Sequence, residues 1–318
     1  MKFDVISFGG AVVDAFFETD LKEKNGGIYI PLDRKLLAKE IWFATGGAGT
    51  NTAVSFSKLG LKAGFLGKVG NDHNGKIILD ELKSEHVSFL GNVSDGLTGF
   101  SAVIDSVKRN RSVLVYRGVN DLVRKKDFEL DKIDSDWYYL SAMTGESLKY
   151  QNEFAEKMKK RGAKIAYNSG SYVTKNGIGP IRKILKNCDI LILNEGEARD
   201  LAVKKEPLNA LYSLGPKIVC ITRGENGNLV YDGRVVYTTT SHKVKVTERT
   251  GAGDAFSSGF VAGMFLHNDI QKAIQFGSLN AESVIQKHGA KKGLLTRREL
   301  ERRVRGTPVK IVTKVLKP

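Results

Sequence analysis

Short apolar runs alternate with helix-length segments along most of this chain, and glycine clusters stand where one gives way to the other. Strand-like runs occupy 3–8, 63–66, 102–104, 113–115, 137–140, 165–167, 190–193, 218–221 and 228–231. Helical patterns at 50–58, 75–85, 151–160, 178–186 and 254–266 separate many of them. Continuous apolar strands alternating with helices predict an α/β three-layer fold, with a mostly parallel central sheet and helices on both faces. Ligands in such sheets bind beyond the carboxyl ends of the strands, so the glycine-bearing loops there are expected to carry the chemistry.

Two regions break the rhythm. Residues 15–41 contain Gly26-Gly27-Ile28-Tyr29-Ile30, and residues 98–120 hold two strand-like runs around Val107-Lys108-Arg109-Asn110-Arg111. The second reads as a hairpin. Together they predict a small antiparallel sheet outside the main one, a β lid. No repeat, low-complexity stretch or linker interrupts the chain, so residues 1–318 read as a single domain ending in a basic segment, 287–318.

Composition narrows the function classes. With 41% hydrophobic and 27% charged residues, the chain is not wholly disordered. Its two cysteines, Cys188 and Cys220, make no disulfide framework, and no C-x-x-C is present for zinc or redox work. A reducing, cytoplasmic setting is expected. The first twenty residues include Asp4 and Asp14 and no long apolar run, so no secretory signal is expected. No stretch nears the roughly 18 apolar residues of a membrane span. The formal charge is +15, and residues 287–318 hold eleven basic against two acidic side chains. A solvated basic helix and tail is the plain reading, with a surface for nucleic acid or anionic lipid as the alternative. The segment lacks interleaved aromatics for base stacking.

Five motifs carry candidate chemistry. The strongest is Thr250-Gly251-Ala252-Gly253-Asp254-Ala255-Phe256, which opens a helix with an apolar face. Backbone N–H groups at a helix start attract anions, and glycine lets a phosphate come close. Asp254 reads equally well as an N-terminal cap or as a general base beside a phosphate cradle. Gly46-Gly47-Ala48-Gly49-Thr50-Asn51 also precedes a helix. It reads either as a turn capped by Thr50 or Asn51, or as a bare loop that admits a ligand. No strand-like run directly precedes it, and G-x-G-x-x-G is absent, which disfavours a nicotinamide-dependent oxidoreductase. Gly70-Asn71-Asp72-His73-Asn74-Gly75-Lys76-Ile77 nearly spells a P-loop but has Ile where the magnesium-binding hydroxyl belongs, so it reads as a turn and helix start. Asn194-Glu195-Gly196-Glu197 follows a strand, as helix-dipole partners or as organisers of hydrated magnesium. Thr222-Arg223-Gly224-Glu225-Asn226-Gly227 lies between two strands, as a hairpin turn or a nucleotide contact. The five histidines show no metal-ligand spacing, and no G-x-S-x-G is present.

Taken in chain order, the motifs resemble those of the ribokinase-like, or PfkB, family of carbohydrate and nucleoside kinases. The resembling segments are 46–60, 64–76, 194–198, 222–227 and 250–260. The resemblance implies a ribokinase-like fold and an ATP-dependent kinase that transfers the γ-phosphate to a hydroxyl of a small sugar or nucleoside. Asp254 would be the catalytic base, with Gly251, Ala252 and Gly253 as the anion hole. Asp14, Gly46, Gly47 and Asn51 would bind the acceptor. Thr222, Gly224 and Gly227 would line the ATP site, with Asn280 near the adenine. Asn194 and Glu197 would act through Mg²⁺ and the phosphates. The lid would exclude water and pair two copies as a homodimer. Family members often carry Asp six positions before the base, in a monovalent-cation site. Here that residue is Glu248, so K⁺ activation through Glu248 and the Thr250 carbonyl is an expectation with altered geometry.

Substrate choice stays open at this level. An unphosphorylated sugar or nucleoside is favoured over a sugar phosphate. Phe16, Phe17 and Phe100 read as lid packing ahead of nucleobase stacking. Lys108, Arg109 and Arg111 read as a solvated hairpin tip ahead of a phosphate contact. A reading from another class is a nucleic-acid-binding protein on a retired kinase scaffold, resting on the basic C-terminal segment.

Overall fold

The computed structural model describes residues 2–316 except 109 and 204. Its central sheet has ten strands in the order Ile311–Val315, Val235–Thr239, Asn228–Tyr231, Ile218–Thr222, Ile190–Asn194, Lys164–Tyr167, Asp134–Leu140, Lys2–Phe8, Ala63–Leu66, Ser88–Phe89. From Ile218–Thr222 to Ser88–Phe89 all neighbours are parallel. The last three pairings, toward the C-terminal edge, are antiparallel.

Strand pleating explains why the central runs are apolar throughout. Successive side chains point to opposite faces. Leu191 and Leu193 join one core, and Ile190 and Ile192 join the other. Tyr138 and Leu140 divide from Trp137 and Tyr139 in the same way. Each aliphatic side chain buried like this contributes about 1.5–3 kcal/mol. Helices Gly145–Lys160 and Glu195–Ala202 cover the first face. Helices Ala48–Lys58, Ala252–His267 and Ile270–Val284 cover the second.

A second sheet orders its strands Arg111–Tyr116, Gly99–Asp105, Val12–Glu18, Glu40–Gly46. Its outer pairs are antiparallel, as expected, but its central pair is parallel. Most of 19–39 is irregular, with only the two-residue strands Glu23–Lys24 and Gly27–Ile28. The strands of this sheet are therefore the flanks of the expected region, while its glycine-rich middle forms only a separate two-residue hairpin. Glu40–Gly46 also corrects the reading that no strand precedes Gly46-Gly47. Its alternation is masked because Ile41 and Phe43 are apolar yet exposed.

The basic C-terminal segment is not a free tail. Thr296 and Glu299 form a reciprocal capping box that starts the helix Arg297–Gly306, and Leu300 of that helix is buried. Ile311–Val315 then closes the edge of the central sheet beside Val235–Thr239. No helix among the described residues is long and apolar enough to cross a membrane.

Candidate active site

Two glycine-bearing helix starts meet at the carboxyl end of the central sheet. The helix Ala252–His267 begins at Gly251, whose φ of 79° is left-handed. A Cβ at Gly251 would stand 2.5 Å from the Ala290 Cβ. No side chain caps this helix; Ala252 N–H donates to the Arg249 carbonyl at 3.3 Å, and the other N–H groups of the first turn are left to an incoming anion. Gly253 is exposed, with nothing within 4 Å of where a Cβ would be. The helix Ala48–Lys58 packs alongside, and Ser258 Oγ donates to Ser55 Oγ at 2.7 Å between the two.

Asp254 lies in the first turn, half-buried. Asn51 Nδ2 donates to its Oδ2 at 2.8 Å. Burial pushes the Asp254 carboxyl above its ordinary range, against the pull of that hydrogen bond and of Lys291. A raised proton affinity suits a general base. Asn51 Oδ1 is buried and has no hydrogen-bond partner.

Asp14 comes to the same place from the second sheet. Ser101 Oγ donates to its Oδ1, and a Cβ on Gly46 would collide with its Oδ2. Gly46 is thus bare to make room for Asp14. Burial raises the Asp14 carboxyl, with Ser101 and Lys291 opposing. Gly47 and Gly49 are bare for packing: their Cβ atoms would lie 2.5 Å from the Gly10 carbonyl oxygen and 2.6 Å from the Gly9 carbonyl carbon. The reading of this loop as one left open for a ligand is corrected there, because the chain's own backbone fills the space.

A cleft of about 800 Å³ opens beside Ala252 and Gly253, within the size range of small-ligand sites. Thr222, Gly224, Ala252 and Gly253 line it, as do His242, Ser278 and Glu282. His242 Nδ1 sits 2.9 Å from Glu282 Oε2 across the cleft wall. Gly227 is a turn residue outside the lining, with φ 75° and the Thr239 carbonyl where a Cβ would be. Asn280 corrects its assignment to the adenine. It is fully buried, its Nδ2 donates to Ser55 Oγ and the Ala255 carbonyl, and its Oδ1 accepts from Leu295 N–H. The cleft-facing residues of the helix Ile270–Val284 and its C-terminal cap are Ser278, Ala281, Glu282 and Ile285.

Asn194 and Glu197 stand at the end of the strand Ile190–Asn194. They form a reciprocal capping box, with bonds of 2.9 and 3.0 Å. Burial raises the Glu197 carboxyl, and the charges of Asp200 and Asp254 add to the rise. The P-loop look-alike is the turn and helix start expected: Asp72 accepts from Gly75 N–H at 2.7 Å and caps His73–Ser84.

Glu248 does not stand open to an ion. Its side chain is fully buried, its Oε1 lies 2.9 Å from Arg111 Nη1, and its Oε2 accepts from Gly289 N–H at 2.9 Å. The Arg111 guanidinium is thus the cation beside Oε1, although that buried oxygen has no hydrogen-bond partner of its own. Arg111 likewise corrects the solvated hairpin tip, since its guanidinium turns inward. Lys108 is exposed, and Arg109 lies outside the described residues. Phe16 is buried and stacks on Trp42 at 5.2 Å, as lid packing.

The sequence reading missed Lys291. It is buried with its Nζ 2.6 Å from Glu81 Oε2 and 3.0 Å from Thr45 Oγ1, and its charge reaches both Asp14 and Asp254. Its signal was Gly289-Ala290-Lys291-Lys292-Gly293, a cation among glycines, absorbed into the C-terminal charge count.

Comparison with known proteins gives the family. A protein of Archaeoglobus fulgidus described as an uncharacterized sugar kinase is 30% identical over 251 residues, spanning 76% of this chain and 98% of its own. A 5-dehydro-2-deoxygluconokinase of Clostridium botulinum is 27% identical over 330 residues, spanning 94% and 92%. The structure of Arabidopsis thaliana ribokinase with ribose and ATP superposes with a TM-score of 0.80 at 22% identity, over 95% of this chain and 98% of that one. With the pfkB family carbohydrate kinase model matching residues 5–297, the chain belongs to that family and has its ribokinase-like fold.

Proposed function

We propose that this protein transfers the γ-phosphate of ATP to a hydroxyl of a small unphosphorylated sugar. One observation carries the reading: an uncapped helix start opens on a cleft, with a carboxylate of raised proton affinity in its first turn. Asp254 takes the proton of the attacking hydroxyl. The N–H groups of Gly251 and Gly253, joined by that of Ala252 once it gives up the Arg249 carbonyl, receive the charge that spreads over the migrating phosphoryl group. Asn51 holds Asp254 through Nδ2 and has Oδ1 free to accept from the acceptor. Asp14 holds a second acceptor hydroxyl, with Gly46 and Gly47 shaping the loop around it. Thr222 and Gly224 contact the nucleotide from the cleft wall.

Charge favours a neutral acceptor hydroxyl group over a phosphorylated one. Lys291 is already paired with Glu81, and Asp14 and Asp254 are the carboxylates left facing the site. A second phosphate there would meet net negative charge. The relatives named as sugar kinases support a sugar as the acceptor.

Mg²⁺ accompanies ATP in this reading. Among the described residues no cluster of three or more His, Cys, Asp or Glu side chains forms a ready cation cage. Asn194 and Glu197 fit instead as partners for the water ligands of an ion held mainly by phosphates. Such an ion supplies charge compensation on the phosphate oxygens.

We read residues 1–318 as one domain with the second sheet as its lid. The outer strand Arg111–Tyr116 is exposed on both faces, and Phe43 is 63% and Leu114 67% exposed. Open edges beside exposed apolar side chains support pairing with a second copy through the lid. Cys188 and Cys220 are buried and unpaired, which supports a reducing compartment such as the cytoplasm.

The test is a screen of free pentoses, hexoses and nucleosides with MgATP, reading ADP. One acceptor should stimulate release, and Asp254→Asn should abolish that stimulation while folding persists. Stimulation that survives Asp254→Asn would sink the mechanism.

A further inference from the structure

The lid and the phosphate-binding bend are joined by a buried ion pair. Arg111 belongs to the outer strand of the second sheet, and Glu248 lies three residues before Gly251. Arg111 Nη1 is 2.9 Å from Glu248 Oε1, and its Nε is 2.8 Å from Asp105 Oδ1 on the neighbouring strand. The guanidinium also lies 5.8 Å from the centre of the Phe16 ring, so it is held by two neighbouring strands of the second sheet together with Glu248.

Glu248 is anchored on its other side. Its N–H and that of Thr247 both donate to the Ile285 carbonyl, at 3.1 and 2.8 Å. Its Oε2 accepts from Gly289 N–H at 2.9 Å, and Ala290, the next residue, is the one against which Gly251 packs. His288 Nδ1 stands 3.7 Å from the same carboxylate oxygen. One carboxylate thus ties the stretch leading into the anion-binding bend to the loop that backs it.

A fully buried carboxylate needs a counter-charge close by, and losing that partner is strongly destabilising. We propose that Arg111 is the resident cation of Glu248: its guanidinium takes the place beside the phosphate-binding bend that a monovalent ion would otherwise fill, so turnover needs no K⁺ and the bend's geometry depends on the docked lid. This inference rests on the kinase reading for its effect on turnover, but the pair itself can be tested without it. Arg111 is a positioning residue here, because it acts on the bend through Glu248.

The first measurement is ADP release from MgATP and pooled free sugars, in K⁺ or in tetramethylammonium at equal ionic strength. The native protein should run at the same rate in both. Arg111→Met should be slower by about ten- to a hundredfold, the scale on which supporting partners of a charged site matter. It should also become responsive to K⁺, which a purely structural loss would not produce. The second measurement is a thermal-unfolding cycle without substrates on Arg111→Met, Glu248→Gln and the double variant. The double variant should unfold at a higher temperature than the sum of the single losses predicts. A native enzyme stimulated severalfold by K⁺ overturns the proposal, as do strictly additive unfolding shifts. Absence of ADP release from every acceptor would count against the kinase reading alone, since the unfolding cycle still decides the pair.

Discussion

Two stretches with nearly the same composition, Gly46-Gly47-Ala48-Gly49 and Gly251-Ala252-Gly253, start neighbouring helices, and neither has a side-chain cap. Their glycines answer different demands. At the first, Gly47 and Gly49 are pressed onto the backbone of residues 9–11. At the second, Gly253 faces open space in a cleft while Gly251 makes the left-handed bend. Other helices contrast with both, because Asp72, Asn194, Asp269 and Thr296 cap their own first turns. A missing cap is therefore not enough to mark a site. What marks it is a missing cap combined with empty space and a carboxylate.

The largest expected effect tests that carboxylate. Asp254→Asn should lower kcat by about 10²–10⁴-fold, the usual worth of general acid–base help. Its folding should not suffer. A carboxyl raised in the native state adds stability below its unfolded pKa and loses it as pH rises through the native one. Near neutrality, a neutral amide removes that cost, so thermal unfolding should be unchanged or shifted upward. For the same reason, kcat/KM should fall as pH drops through a midpoint above the ordinary carboxylate range. An acid limb at the ordinary Asp position would break the assignment.

Gly253→Ala comes next. The methyl group meets no neighbour in the fold but projects into the cleft, and misplacement of the transferring group should cost about 10²-fold in rate. Unfolding should be unaffected or improve by up to about 1 kcal/mol, as alanine replaces glycine in a helix. Gly49→Ala should do the reverse. Overpacking against Gly9 should cost about 1–3 kcal/mol in denaturant unfolding, with turnover per folded molecule changed far less. Equal effects of the two substitutions on rate and stability would erase the contrast between the bends. The smallest effect on folding is at the capped start, where Asn194→Ala should lose about 1 kcal/mol of stability, with any loss of turnover reporting its place beside Mg²⁺.

The main architecture was legible because the central strands bury both faces. Runs such as 190–193 are apolar at every position, and that pattern fits little else between helices. Glu40–Gly46 and Ile311–Val315 were not legible. The first exposes its apolar side chains, and the second lies at an edge, with Lys314 facing out as in any basic tail. In the site, Asp254 and Gly251–Gly253 stood out because their chemistry is local to one helix start. Lys291, Arg111 and His242 did not, because their partners are Glu81, Glu248 and Glu282. Each partner lies far along the chain, where spacing carries no signal.

Sequence by itself determined what depends on near neighbours: which runs are strands, where helices begin, and which bend can bring bare N–H groups next to a carboxylate. Tertiary structure alone decided which glycines face a cleft and which face backbone, why Asn280 serves the core, and which cation neutralises Glu248. Those outcomes depend on desolvation and steric contact between segments from about forty to more than two hundred residues apart, and both arise only once the layers have packed.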